Sequence, residues 1–250
     1  MERPSLSSSE IFLLSFFSLA LSAIQFFLIT RGLRLIQVIL FIALSVFGSI
    51  FWLSAATLHS SGSTARVMSL SIAIFVLFSG VVQKAFYFLP PNFRLYQISA
   101  LANLVGYMTL LYGISKMISV RWFAATGRKS VKVVLLFLPL FMLYLAQQSP
   151  ILLSYMAFDL ICFFLASISV LLFPKGLPND VLASIQIAAL PLMISDFIRY
   201  SEKTFALFAF FKPFEEITAS FSFILLTFLA LLYFKKVRGL REVIELAETG

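Results

Sequence analysis

Charge is what this chain has least of. Of 250 residues 12% are charged and 61% hydrophobic, and the mean hydropathy is +1.01. So few charges cannot solvate the surface of a water-soluble domain. The chain has one cysteine, Cys162, which excludes an internal disulfide and leaves the redox compartment undetermined. It has one histidine, His59, which excludes bis-histidine haem ligation and makes a histidine-rich metal site implausible. No G-x-S-x-G, P-loop or dinucleotide fingerprint occurs, and no serine–histidine arrangement lies within the apolar segments. A Schiff-base lysine would be wanted in the final span, whereas the mid-span lysine is Lys84. An aspartyl protease needs facing carboxylates, and Asp159 and Asp196 carry no recognisable motif. The expectation is a protein that is not an enzyme, with no cofactor and no metal.

What is present is apolar helix. A bilayer-spanning helix needs about 20 consecutive apolar residues, and eight stretches qualify or come close: 11–30, 35–58, 67–89, 96–119, 133–147, 151–173, 181–198 and 217–234. Polar or turn clusters separate them, among them Arg31-Gly32, Ser60-Ser61-Gly62-Ser63, Pro90-Pro91-Asn92 and Pro174-Lys175-Gly176. The reading is an all-α, polytopic membrane helix bundle of about eight spans with short loops. Residues 1–234 form one transmembrane domain, and 235–250 a short cytoplasmic helical tail. The alternative is seven spans, with the short fifth segment re-entrant. The first span lacks an A-x-A-like site and runs directly into the second, so it reads as an anchor and not a cleaved signal.

Lysine and arginine set the orientation. With the N-terminus inside, twelve of the 19 are cytoplasmic, six are outside, and Lys84 lies within a span. The fourth loop (Lys116, Arg121, Arg128, Lys129, Lys132) and the tail (Lys235, Lys236, Arg238, Arg241) decide it. Both termini are therefore expected in the cytoplasm, in a multi-pass protein of the plasma membrane. The net charge of +8 is read as topology signal and attraction for anionic lipid headgroups at the cytoplasmic face, not as nucleic-acid binding.

Polar groups inside hydrocarbon are costly and therefore informative. If the spans alternate, Gln25, Gln37, Lys84, Gln97, Asn103, Gln147, Gln148, Asp159 and Asp196 all fall toward the outer side, with Gln186 alone toward the inner one. The candidate ligand- or ion-binding residues are Lys84, Asp159, Asp196, Asn103 and Gln97. Lys84 and Asp159 lie at depths about 5 Å apart and could pair, while Asp196 could pair with Arg199 on its own helix. Glu215 and Glu216 are placed near enough to water to need no partner. The same polar groups could instead hold helices together by interhelical hydrogen bonds.

Small residues at spacings of three and four form seams that let helices approach closely. Span four carries Ser99, Ala102, Gly106, Thr109 and Gly113, and is expected to be central; span one carries Ser15, Ser18, Ser22 and Gln25. Pro139 and Pro191 interrupt spans five and seven, and the Phe-rich stretch 204–211 could lie over the outer side as a lid. Short loops followed by a helix leaving the last span resemble the multi-span input domains of prokaryotic sensory proteins, in architecture alone. That resemblance implies a separate signalling partner, since no output domain follows. The expected function is non-enzymatic binding of a ligand or partner, sensor-like or as a complex subunit with a membrane-protein partner or a second copy. The alternative is a small secondary transporter or ion channel.

Overall fold

A computed structural model describes residues 7–85, 88, 93–119, 177–204 and 211–249. Among them every regular element is helical. Helix α1 (Ser8–Thr30) is followed by α2 (Arg34–Leu58) and α3 (Thr64–Phe75). A π-helical segment (Val76–Val82) and one last α turn (Gln83–Ala85) prolong α3. Then come α4 (Phe93–Ser119), α5 (Leu177–Thr204) and α6 (Lys212–Thr249). Four of these helical stretches, Ser8–Thr30, Arg34–Leu58, Thr64–Val82 and Pro213–Glu245, are long and apolar enough to cross a membrane; α5 carries a shorter apolar run, Ile185–Ile198. The fifth and sixth of the eight expected spans, with Asp159, Cys162 and Pro139, lie outside the described residues.

Local chemistry sets the helix ends. The Ser7 hydroxyl accepts from the Glu10 amide, and the Glu10 carboxylate accepts from the Ser7 amide, a capping box at the start of α1. At its far end Gly32 takes φ 71°, while Leu33 N–H donates to Leu28 O and Gly32 N–H to Ile29 O. This is a Schellman turn, and it needs a residue without Cβ at that φ. Ser63 caps α3 by accepting from Arg66 N–H.

On α1 polar residues face the bundle and large apolar ones face outward, while the core of the bundle itself is apolar, with Phe41, Trp52 and Phe75 buried in it. Ser18 and Gln25 on α1 are wholly buried, whereas Phe12 and Leu19 are each 67% exposed. Ser15, part of the seam expected on α1, is exposed. A contiguous apolar exterior of this extent belongs against lipid. There, packing and hydrogen bonds draw helices together, because lipid tails remove the hydrophobic incentive between them. The four apolar helices and this exterior support a helical membrane protein.

Helix α6 is the hub among the described residues. It touches α1, α2, α5 and the π segment, whereas α4 packs on α3 and its continuation. Among the described residues, the small-residue seam of span four meets α3 and the π segment that prolongs it. Residue pairs along α6 give the directions. Glu10–Lys236 (3.0 Å), Phe17–Phe228 and Phe26–Phe214 make α1 antiparallel to it. Arg34–Glu216 (2.9 Å), Phe41–Phe223 and Trp52–Tyr233 make α2 parallel to it. Glu216 thus has an arginine partner, and Glu215 is buried, contrary to the expectation that both simply meet water.

Side chains tie α6 to its neighbours through backbone carbonyls. Trp52 Nε1 donates to Leu226 O at 3.1 Å and Ser222 Oγ to Ala188 O at 2.7 Å, while the Thr227 hydroxyl is shared between Phe223 O on its own helix (2.8 Å) and Leu44 O on α2 (3.1 Å). Gly48 makes the α2–α6 approach possible. A Cβ there would lie 2.5 Å from Thr227 Oγ1 and 3.1 Å from Thr227 Cα. The seams on α3 and α4 work the same way: a Cβ on Gly113 would lie 2.6 Å from Ser71 Oγ. Thr109 instead turns its hydroxyl back to its own helix, at Gly106 O (2.8 Å).

Two consequences are measurable. Gly48→Ala should lower stability by roughly 1–3 kcal/mol through overpacking, because backbone as well as a side chain stands in the way. Gly239→Ala, with nothing within 4 Å of the added carbon, should be neutral or stabilising by up to about 1 kcal/mol. Thermal unfolding in detergent checks both, and equal losses would sink the close-approach argument. Beyond the end of α2, His59 Nε2 meets the Tyr233 hydroxyl at 2.9 Å, and half-burial of the imidazole pushes its pKa below the ordinary 6.5. The folded state then binds a proton less readily than the unfolded chain. The stabilisation is complete above the unfolded pKa, about 6.5, and is lost as pH falls below it. The melting temperature should therefore drop on acidification from pH 7.5 toward 5.5, and His59→Gln should flatten that dependence. Superimposable profiles for the two proteins would refute it.

Candidate functional site

Six helical segments converge on one polar cavity. Phe41 comes from α2, Ser79 from the π segment, and Lys84 from the turn after it; α4 gives Asn103 and Tyr107. Helix α5 gives Leu192, Ser195 and Asp196, and α6 gives Ala219 and Phe223. On each of the last three helices the spacing is three or four residues, which puts contributors on a single face. The space within is about 30 Å³, on the scale of one or two water molecules.

The local backbone positions these groups. A π turn takes in an extra residue, and each residue of helix is worth about 100° of rotation. Lys84, just past the π segment, is therefore swung away from the face that an unbroken α-helix would give it. The wide turn is accommodated by a small residue: a Cβ on Gly80 would lie 2.8 Å from Ser45 Oγ. On α4, a Cβ on Gly106 would lie 2.6 Å from Ser79 Oγ, so the absence of a side chain at Gly106 leaves room for the serine that lines the cavity. On α5, Pro191 lacks an N–H and leaves the Ile187 carbonyl without its helical donor. The next carbonyl, Ala188 O, receives the Ser222 hydroxyl, so α6 holds α5 at the break from which Leu192, Ser195 and Asp196 follow.

The walls are chemically mixed. Ser79, Asn103, Ser195 and Asp196 are all buried, at 2%, 6%, 2% and 7% exposure. The Ser79 hydroxyl has no hydrogen-bond partner among the described residues. Lys84 Nζ stands 5.5 Å from the centre of the Phe41 ring, a cation–π distance. Toward the opposite end of the bundle Tyr107 and Leu192 also border a smaller gap, whose other walls (Ile72, Phe75, Leu110, Ile185, Ala188, Ala189, Leu226) are apolar.

Of the candidate residues read from the sequence, Lys84, Asn103 and Asp196 line this one cavity. Asp159 and the side chains of Gln97, Ser99 and Arg199 lie outside the described residues, as does the stretch 205–210 of the expected lid. Within the seam, Ala102, Gly106 and Gly113 are buried. Sequence reasoning passed over Ser79 and Ser195. Serines are frequent in these helices, and nothing about their spacing separates cavity-lining ones from packing ones. Gln25 and Gln37 form a separate polar contact between α1 and α2: Gln37 Nε2 donates to Gln25 Oε1 at 3.3 Å, both residues wholly buried. Among the described residues, no group of three or more histidine, cysteine or acidic side chains could hold a metal ion. Compared with protein families, curated proteins and solved structures, the chain matches none.

Because Lys84 and Asp196 face one small space, their charges should sense each other. A double-mutant cycle on Lys84→Met and Asp196→Asn should show a coupling of about 1 kcal/mol or more, the double variant losing less stability than the two single losses together. Strict additivity would mean that the two charges are solvated independently.

Proposed function

We propose that this chain is a non-enzymatic integral membrane protein that binds a small polar ligand or a partner subunit through a polar site in the outer half of the bilayer. The observation that carries the reading is the convergence of Lys84, Asn103 and Asp196, from three helical segments, on one cavity. Buried polar groups in a membrane are costly unless they serve each other or a ligand. The cavity lies toward the end of the bundle away from Glu10 and Lys236, which are paired near the basic tail. By the positive-inside rule the tail end is cytoplasmic, and the cavity is then external. Both termini are read as cytoplasmic, in a multi-pass protein of the plasma membrane, with anionic lipid headgroups meeting the basic tail.

The helix directions support eight spans over seven. Contacts make α3 antiparallel to α2 (Ser45 against Gly80) and α4 antiparallel to α3 (Ser71 against Gly113). They also make α5 antiparallel to α6 (Ala188 with Ser222, Asp196 beside Ala219). Helix α4 therefore ends, and α5 begins, at one end of the bundle. Two spans between them, the number read from the apolar stretches 133–147 and 151–173, agree with that. A re-entrant fifth segment would reverse α5 and α6 relative to α2.

Binding is favoured over translocation because the polar lining stops at Tyr107 and Leu192. Beyond them the described walls are apolar, where a continuous path would need polar groups. The test is native mass spectrometry of protein purified in mild detergent. Wild type should carry a bound small molecule or partner subunit, and Lys84→Met and Asp196→Asn, still monodisperse, should lose it. Wild type that is bare under every condition would remove the reading. Solute flux in proteoliposomes that depends on both residues would replace it with a transporter.

A further inference from the structure

The geometry points to a hydrated pocket: the cavity between Ser79, Lys84, Asn103, Ser195 and Asp196 binds water, a neutral guest that both donates and accepts hydrogen bonds. This rests on the polar site described above but not on what else that site binds.

Three independent features lead there. The first is size. About 30 Å³ is room for one or two waters. The second is an unmet hydrogen-bonding group. Ser79 is 2% exposed, lines the cavity, and its hydroxyl has no partner among the described residues. A buried hydroxyl in that condition is rare in folded proteins, and ordered water is the usual remedy. Asn103, Ser195 and Asp196 supply the further polar neighbours that a buried water needs, typically about three.

The third feature is charge. One ammonium and one carboxylate face the same space. A dipolar guest that both donates and accepts can orient its oxygen toward the ammonium and its hydrogens toward the carboxylate and the Ser79 hydroxyl oxygen. The adjoining gap is a built-in control. It shares Tyr107 and Leu192 with the cavity, but its remaining walls are hydrocarbon, and such a space stays dry.

Synchrotron hydroxyl-radical footprinting of the wild-type protein in detergent distinguishes the two spaces. Radicals form from water by radiolysis and oxidise the side chains beside it, so a buried ring is labelled only where water is bound. Phe41 lines the polar cavity and Phe75 the apolar gap, and both are 1% exposed. Phe41 should be oxidised roughly tenfold faster than Phe75 if water resides in the cavity. Equal rates would overturn the proposal. The outcome is separable from the binding reading. A labelled Phe41 in a protein that retains no ligand leaves the hydration standing and removes the binding function. An unlabelled Phe41 in a protein that retains a ligand does the reverse.

Discussion

The approach of α2 to α6 at Gly48 and Thr227 is the constraint on which the bundle depends. Thr227 fills the space that a side chain at Gly48 would take, and its hydroxyl reaches the Leu44 carbonyl on the same helix. One turn away in α2, the Trp52 indole returns the bond to Leu226 O. With two helices locked at this distance, Phe41 and Phe223 meet edge to face, and Phe75 stacks on Phe223. The aromatic cluster then fixes where α3 can lie. The position of the π segment, and with it of Ser79 and Lys84, follows from that placement.

Much of the architecture was legible because lipid imposes simple rules. A chain this short of charge has to be helical in the membrane, and the buried faces of α1 and α2 show where its polar groups go. Ser18, Ser22, Gln25 and Gln37 are inside while Phe12, Phe16, Phe17 and Phe27 of α1 and Phe47 of α2 face out. What the sequence could not yield was lateral arrangement. The seam on α4 marks close contact with α3, yet α6, which among the described residues touches most of the other helices, advertises itself less clearly. Its contacts are made by Ser222, Thr227 and large apolar residues rather than by a run of small ones.

The site was legible in part and for a definite reason. Depth along a helix can be counted from residue number, so the sequence brings Lys84, Asn103 and Asp196 to one side of the membrane. Azimuth can be counted only if the helix is regular. The stretch Val76–Val82 has the composition of ordinary apolar helix, and nothing in it announces the extra residue per turn that rotates Lys84. Depth alone could not choose among carboxylates: it suggested Asp159, which lies outside the described residues, for Lys84, and did not bring out that Asp196 lines the same cavity as Lys84.

The two ion pairs that flank α6 carry one more consequence. Arg34–Glu216 and Glu10–Lys236 clamp it at positions twenty residues apart. At 1.5 Å per residue that separation is about 30 Å, the thickness of a bilayer's hydrocarbon core. Both pairs tie α6 to its hairpin partners α1 and α2, so the three helices cannot slide past one another to suit a thinner or thicker membrane without breaking a charged contact. The two contacts favour one register of the trio. A mismatched bilayer is then met more readily by tilting the whole bundle or by deforming the lipid around it, a modest cost per ångström that sorts proteins among membranes of different thickness.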